Sequence, residues 1–352
     1  MAIPSRMEDR PLVLSKLKQT AYGTILTDVN LQGGKRVPVE QPIFGQPSIT
    51  RWTNRPLSMV GTDYATLMQE VERDLQDSLV LTGDPWLLAW AFAFAMGKVT
   101  SSQPSVGTAP TAWQHIIKPQ DPAVDGKLLP VTTIYSEVNT AANLQRRLQD
   151  MCVKSVQLEF PASAPLKATV ALVGSGQITT GLLASQPSLM TLVPLMSNDL
   201  VFKYGTQAAP TDISSEIVAG SVKFSFTWNP DESNSRAPSG GLYRSRMWLT
   251  QPDFMLEFQR FVDDSASTPQ DDWLTDSIKE VLFSVKGPLI AGTEFQQISI
   301  RGLAVVPQVV KLGQVGNKSV YQYSIGPDHW LKQGAADVCT VTCENTETSF
   351  LV

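Results

Sequence analysis

At 352 residues the chain is long enough for two domains, taking about 150 residues for each as a prior. Hydrophobic residues make up 42% of it, which supplies a real core and excludes global disorder. Charged residues are only 17%, and a net charge of −5 without a basic run excludes gripping of nucleic acid through a positive patch.

Residues 14–33 read as turns and short extended pieces, and Pro and Gly punctuate 36–61. Residues 62–81 fit either an extended arm or a short helix. The run DPWLLAWAFAFAMGKV at 84–99 comes next, with an apolar part of 12 residues at 85–96. A bilayer-spanning helix needs roughly 20 residues. The run also lies too far from Met1 for a signal peptide, and the opening MAIPSRMEDRPLVL has no apolar h-region. Small and large residues alternate from Ala89 to Met96, which would suit a strand. The ends favour a helix: Asp84 is a good N-cap, Pro85 fits the first helical position, and Gly97 sits where a terminating glycine belongs. The expectation is a short helix over 85–96, buried nearly all round.

After a Ser/Pro/Gly-rich loop at 101–110, strand signals recur at 113–117, 131–138, 152–160 and 166–174. The last two are joined by PASAP at a hairpin-like spacing. In the first of that pair Val156, Leu158 and Phe160 alternate with Ser155, Gln157 and Glu159, giving one dry and one wet face. A low-charge bridge covers 177–205, and a domain boundary is expected near residue 200. In 221–228, Val222, Phe224, Phe226 and Trp228 alternate with Lys223, Ser225 and Thr227. The polar loop 229–241 reads as a flexible excursion. Residues 253–261 return as a strand with Phe254, Leu256 and Phe258 inward.

A second helix is expected over about 269–282, capped by Thr268 and started by Pro269, with Leu274, Ile278, Val281 and Leu282 as its apolar stripe. Strands are expected again at 294–306, 318–325 and 337–343. Each half thus places a Pro-started helix before a group of short strands, the pattern of a diverged internal duplication. The fold class expected is mainly β (α+β), with domains at 1–200 and 201–352 and a short helix flanking each.

No catalytic constellation stands out. His115 and His329 lie in no metal or hydrolase motif, GSGQ at 174–177 ends a strand rather than opening a helix, and the carboxylates are scattered. Cys339 and Cys343 lie four residues apart in a strand pattern, about 13 Å at 3.3 Å per residue. A disulfide needs Cα atoms within about 7 Å. Both read as buried thiols of a chain kept in a reducing compartment. No enzyme activity and no cofactor or metal are expected.

Residues 113–174 resemble the tail tube proteins of long-tailed bacteriophages. The order WQHIIKPQ, LPVTTIYSEV and CVKSVQLEFPASAPLKATVALVGSG is similar to the strands of that family, and LAWAFAFAMGKV to the short helix before them. KLKQTAYGT at 16–24 is similar to the family's opening, although Gln19 stands where an acidic residue is usual. GSVKFSFTWN and VKGPLIAGTEFQQISI resemble the second half of the longer members. The loops after Ser101 and Asn229 are longer than the pattern needs.

The resemblance implies tandem β-sandwich or barrel tail-tube domains whose inner sheets join into a ring. Rings stack into the tube through which genomic DNA leaves the capsid. A chain with two such domains implies trimeric, pseudo-hexameric rings, with hexameric rings the other arrangement. The implied partners are the chain itself, the tape-measure, tail terminator and distal tail proteins, and transiently the DNA, without membrane insertion. The implied location is the virion tail, assembled in the host cytoplasm. With polar strand faces turned to the channel, Ser155, Gln157, Glu159, Lys167 and Thr169 would face the DNA in the first half. Lys223, Ser225, Thr227, Glu257 and Gln259 would do so in the second. An acidic balance suits a channel along which DNA must slide. The competing expectation is an adhesive or receptor-binding β protein of the virion surface that uses the loop 229–241.

Overall fold

The computed structural model describes residues 12–38, 45–54, 67–121, 123–126, 128–137, 145–228, 241–244, 246–247, 249–262, 273–334 and 337–352. In chain order the first strands are β1 (Leu12–Leu14), β2 (Lys35–Val37), β3 (Ser48–Asn54), β4 (Leu67–Thr82), β5 (Gly97–Ser102) and β6 (Trp113–Pro119). Then come β7 (Thr132–Glu137), β8 (Gln145–Glu159), β9 (Lys167–Gly174), β10 (Ile178–Thr180), β11 (Leu200–Thr206) and β12 (Thr211–Asp212). The remainder are β13 (Lys223–Trp228), β14 (Pro252–Phe261), β15 (Lys279–Ala291), β16 (Glu294–Val305), β17 (Val309–Val315), β18 (Lys318–Ile325) and β19 (Thr340–Asn345). The α-helices named among the described residues are α1 (Asp28–Gln32) and α2 (Pro85–Met96).

The protein is mainly β, built on two sheets. The smaller runs β12-β11-β15-β16-β19-β6-β5. The larger turns on β8, whose two halves serve different neighbours. Its first half pairs with β7 and β10, and its second half lies between β9 and β13. Asp150 makes the corner. Its backbone is left-handed (φ 54), a conformation that Asp tolerates better than most residues, and its Oδ1 accepts a 2.7 Å bond from the Gly23 amide. Beyond the corner the strands run β3-β4-β9-β8-β13-β14-β18-β17.

Among the described residues the pairings between the named strands are all antiparallel, and two of them join the halves of the chain: β8 with β13 and β6 with β19. Strands before residue 200 therefore form one block of each sheet, and strands after it form the other. The blocks are fused by continuous hydrogen bonding and share one hydrophobic core.

The helix expected at 85–96 is α2, with those bounds. The Asp84 Oδ1 accepts from the amides of Trp86 (2.8 Å) and Leu87 (3.3 Å), while Oδ2 accepts from the amide of Val193 (2.8 Å). Gly97 ends the helix at φ 84, where a Cβ would be strained. All twelve residues are buried, because the helix lies in the core against both sheets. Its tryptophans keep their polar ends satisfied: Trp90 Nε1 donates to the Ser15 carbonyl at 2.9 Å and Trp86 Nε1 to Glu347 at 3.1 Å. No helix among the described residues is long and apolar enough to cross a membrane.

The second helix is corrected in its extent: Trp273 and Leu274 are helical, but the helix does not run on to 282. Thr268 and Pro269 lie outside the described residues, but from Lys279 the chain is strand β15. Leu274 is 70% exposed and Ile278 41%, so neither lies on a core stripe. Val281, Phe283 and Val285 alternate into the core instead, the period of a strand. Residues 62–81, open between arm and helix, contain most of β4. Residues 229–240 of the expected excursion lie outside the described residues.

Candidate functional site

The candidate site is the outer face of the larger sheet. Its inner face is formed by Val156, Leu158, Val170, Phe224, Phe226, Phe254, Leu256 and Phe258, all buried. Strand geometry then turns every intervening side chain outward. The ten residues expected to face a channel all lie on this outer side, exposed or half-buried.

The register brings them together in rows across the strands. One row runs Thr82, Lys167, Glu159, Lys223, Glu257 and Ser324 over six consecutive strands, β4, β9, β8, β13, β14 and β18. The next holds Val80, Thr169, Gln157, Ser225 and Met255. A third holds Ser78, Ala171, Ser155, Thr227 and Asp253. On the other side of the charged row, Gln259 faces Gln322, which faces Lys311. Within the face Gln157 Nε2 donates to Glu159 Oε1 at 3.1 Å. Residues read in two separate halves thus share one continuous surface, across the β8–β13 seam. The sequence reading missed Ser78, Val80, Thr82, Asp253, Met255, Lys311, Gln322 and Ser324. Alternation in 318–325 could have supplied two of them.

Lys223, Glu257, Gln259, Lys311, Gln322 and Ser324 border an open concavity of about 680 Å³ that the β17–β18 hairpin lines together with residues 218–221. Its lining mixes both signs of charge with amides and hydroxyls.

A second polar group lies in the core. Ser101 Oγ stands 2.9 Å from His115 Nδ1, and His115 Nε2 stands 3.2 Å from Asn345 Oδ1. Asn345 Oδ1 also accepts from the Glu347 amide at 2.7 Å, so the imidazole must donate from Nε2 and accept at Nδ1. The ring meets Phe350 edge-on at 4.9 Å between centroids. Burial holds the His115 pKa below the ordinary histidine range, against the opposing pull of Asn345 and Glu347. The Ser–His–Asn order resembles a nucleophile relay, but His115, on β6 of the smaller sheet, is fully buried. The arrangement acts as a core clamp joining β5, β6 and β19.

This clamp carries a pH dependence of known sign. A depressed folded pKa makes the unfolded chain bind the proton first. Stability is therefore full above the unfolded value of about 6.5 and falls with acid until the folded value is passed, by at most about 1.4 kcal/mol per pH unit. Urea unfolding between pH 7.5 and 5 is expected to show this slope in the wild type and its loss in His115→Gln. Equal slopes would place the titration elsewhere.

Cys152, Cys339 and Cys343 are free and buried, and burial pushes all three thiols up, Cys152 to about 12. No group of three or more His, Cys, Asp and Glu gathers in a metal-binding arrangement among the described residues. The fold and the face define a mainly β, two-sheet protein with one broad polar face. No protein-family model matches the chain, and no curated protein does.

Proposed function

We propose that the chain is a structural virion protein of a long-tailed bacteriophage, one that polymerises as stacked rings into the tail tube through which the genome is ejected. In this reading the two blocks are tandem tail-tube domains, and the outer face of the larger sheet lines the channel. The observation that carries the proposal is that all ten residues nominated for a channel come together on one face. That face is broad and polar, and its charges are mixed in sign.

The sheet edges give further support. At the outer side of one block lie β4 and β5, and at the outer side of the other lie β17 and β12. Among the described residues, residues 75–82 of β4 have β9 as their one partner strand, and β5, β12 and β17 have one partner each. Unpaired edges on opposite sides of a subunit are templates for pairing with another chain. A head-to-tail contact between the two sides would continue both sheets from copy to copy, and a rotation that closes yields a ring. Closure would remove the edges.

The test is the assembled state. Size-exclusion chromatography and negative-stain microscopy of the purified chain over rising concentration are expected to give rings and tubes. Discrete monomers, or trimers that form no ring and do not stack, at every concentration would overturn the proposal.

A further inference from the structure

The charges of the outer face fall mostly in one row, and their order there has a consequence. Across β9, β8, β13 and β14 the row reads Lys167, Glu159, Lys223, Glu257, alternating in sign at every step. Lys223 stands directly opposite a carboxylate on each neighbouring strand. Directly opposite positions hold Cβ atoms about 4.5–5.5 Å apart, within easy reach of a lysine and a glutamate. Lys167 and Lys223 are exposed, and Lys223 and Glu257 border the open concavity on the face. A ligand reaches both.

Resting on the reading of this face as one that DNA passes, we infer that Lys167 and Lys223 are latent phosphate-binding residues that Glu159 and Glu257 hold cancelled. A lysine gains affinity for DNA by taking the place of a counterion at a phosphate. Here the register sets a carboxylate on the neighbouring strand within reach to take that role. A phosphate approaching Lys223 also approaches a carboxylate on each neighbouring strand, and the attraction is offset by repulsion from both sides. The strand register sets this cancellation, so it holds at every subunit without a separate counterion. The adjacent row of Thr169, Gln157, Ser225 and Met255 adds no charge. The face carries a polyanion without retaining it.

The experiment compares wild type with the double variant Glu159→Gln and Glu257→Gln. Binding of a labelled 20-base-pair duplex is read by fluorescence anisotropy between 50 and 200 mM salt. The double variant is expected to bind at least about tenfold tighter at the lower salt, with a log–log salt slope steeper by about 2, near 0.9 for each lysine released. Adding Lys223→Gln to the double is expected to remove about half of that slope. Binding by the double as weak as wild type, or a triple variant as tight as the double, would overturn the inference. Melting curves report the fold of each variant. Should the double not fold, the single Glu257→Gln is read in the same way, with a slope change of about 1. Microscopy of wild-type assembly keeps the two readings apart. Tubes with an unresponsive row would sink this inference alone, and a responsive row on a chain that never assembles would sink the conduit reading alone.

Discussion

Phe94→Asp is expected to abolish folding of the whole chain, whereas Ile278→Asp should melt as the wild type does. Phe94 is fully buried in α2, its ring centroid 5.4 Å from that of Trp90. A carboxylate there would have no partner, and burying one costs several kcal/mol even after it takes up a proton. A domain is stable by only about 5–15 kcal/mol in total. The damage would also spread. The core around α2 joins both blocks, and Phe92 beside it meets Phe224 of β13 at 6.2 Å. Both blocks should therefore be lost together. Ile278, by contrast, is 41% exposed on the approach to β15, and surface changes usually stay within about 0.5 kcal/mol. The measurements are soluble yield and thermal melting by circular dichroism. A soluble Phe94→Asp with a normal melt would show that α2 is dispensable to the core.

That contrast also marks where the sequence could be read. α2 was legible because its signals are local: Asp84, Pro85 and Gly97 stand at its ends in the fold. The outer face was legible for the same kind of reason. Alternation in 155–159 and 223–228 assigns each side chain a side without reference to any partner. The failures came where local rules compete or fall silent. Ile278, Val281 and Leu282 satisfy a helical spacing, yet Val281, Phe283 and Val285 satisfy a strand spacing equally well. Burial against Phe160, Phe202 and Phe224, all ringed around Phe283, decided it, and none of these is near in sequence. The first half of β4 gave no alternation because both of its faces are largely wet. The β8–β13 and β6–β19 seams are pairings between distant segments, and no local pattern encodes them. With the seams unread, one continuous charged row looked like two short ones.

The second large effect concerns assembly. Residues 67–74 of β4 pair with β3 alone among the described strands, and the two run on past the sheet as an arm. Trp52 (51%), Met68 (62%) and Val71 (47%) are exposed on it. Trp52 lies opposite Gln69, and Val71, two residues further along β4, is the unpaired residue of a bulge between Glu70 and Glu72. Two-stranded hairpins are marginal alone in water, and large apolar side chains exposed together mark a contact surface. In the proposed tube the surface they meet belongs to a second copy of the chain. Burying one such side chain is worth about 1.5–3 kcal/mol, and the gain is repeated at every subunit of a ring. Trp52→Glu with Val71→Glu is therefore expected to leave the monomer's melting within about 0.5 kcal/mol of wild type while preventing ring and tube formation. Sedimentation and negative-stain microscopy at matched concentrations read the outcome. Wild-type tube lengths from the double variant would mean that the arm carries none of the assembly energy, and the contacts would then rest on the sheet edges alone.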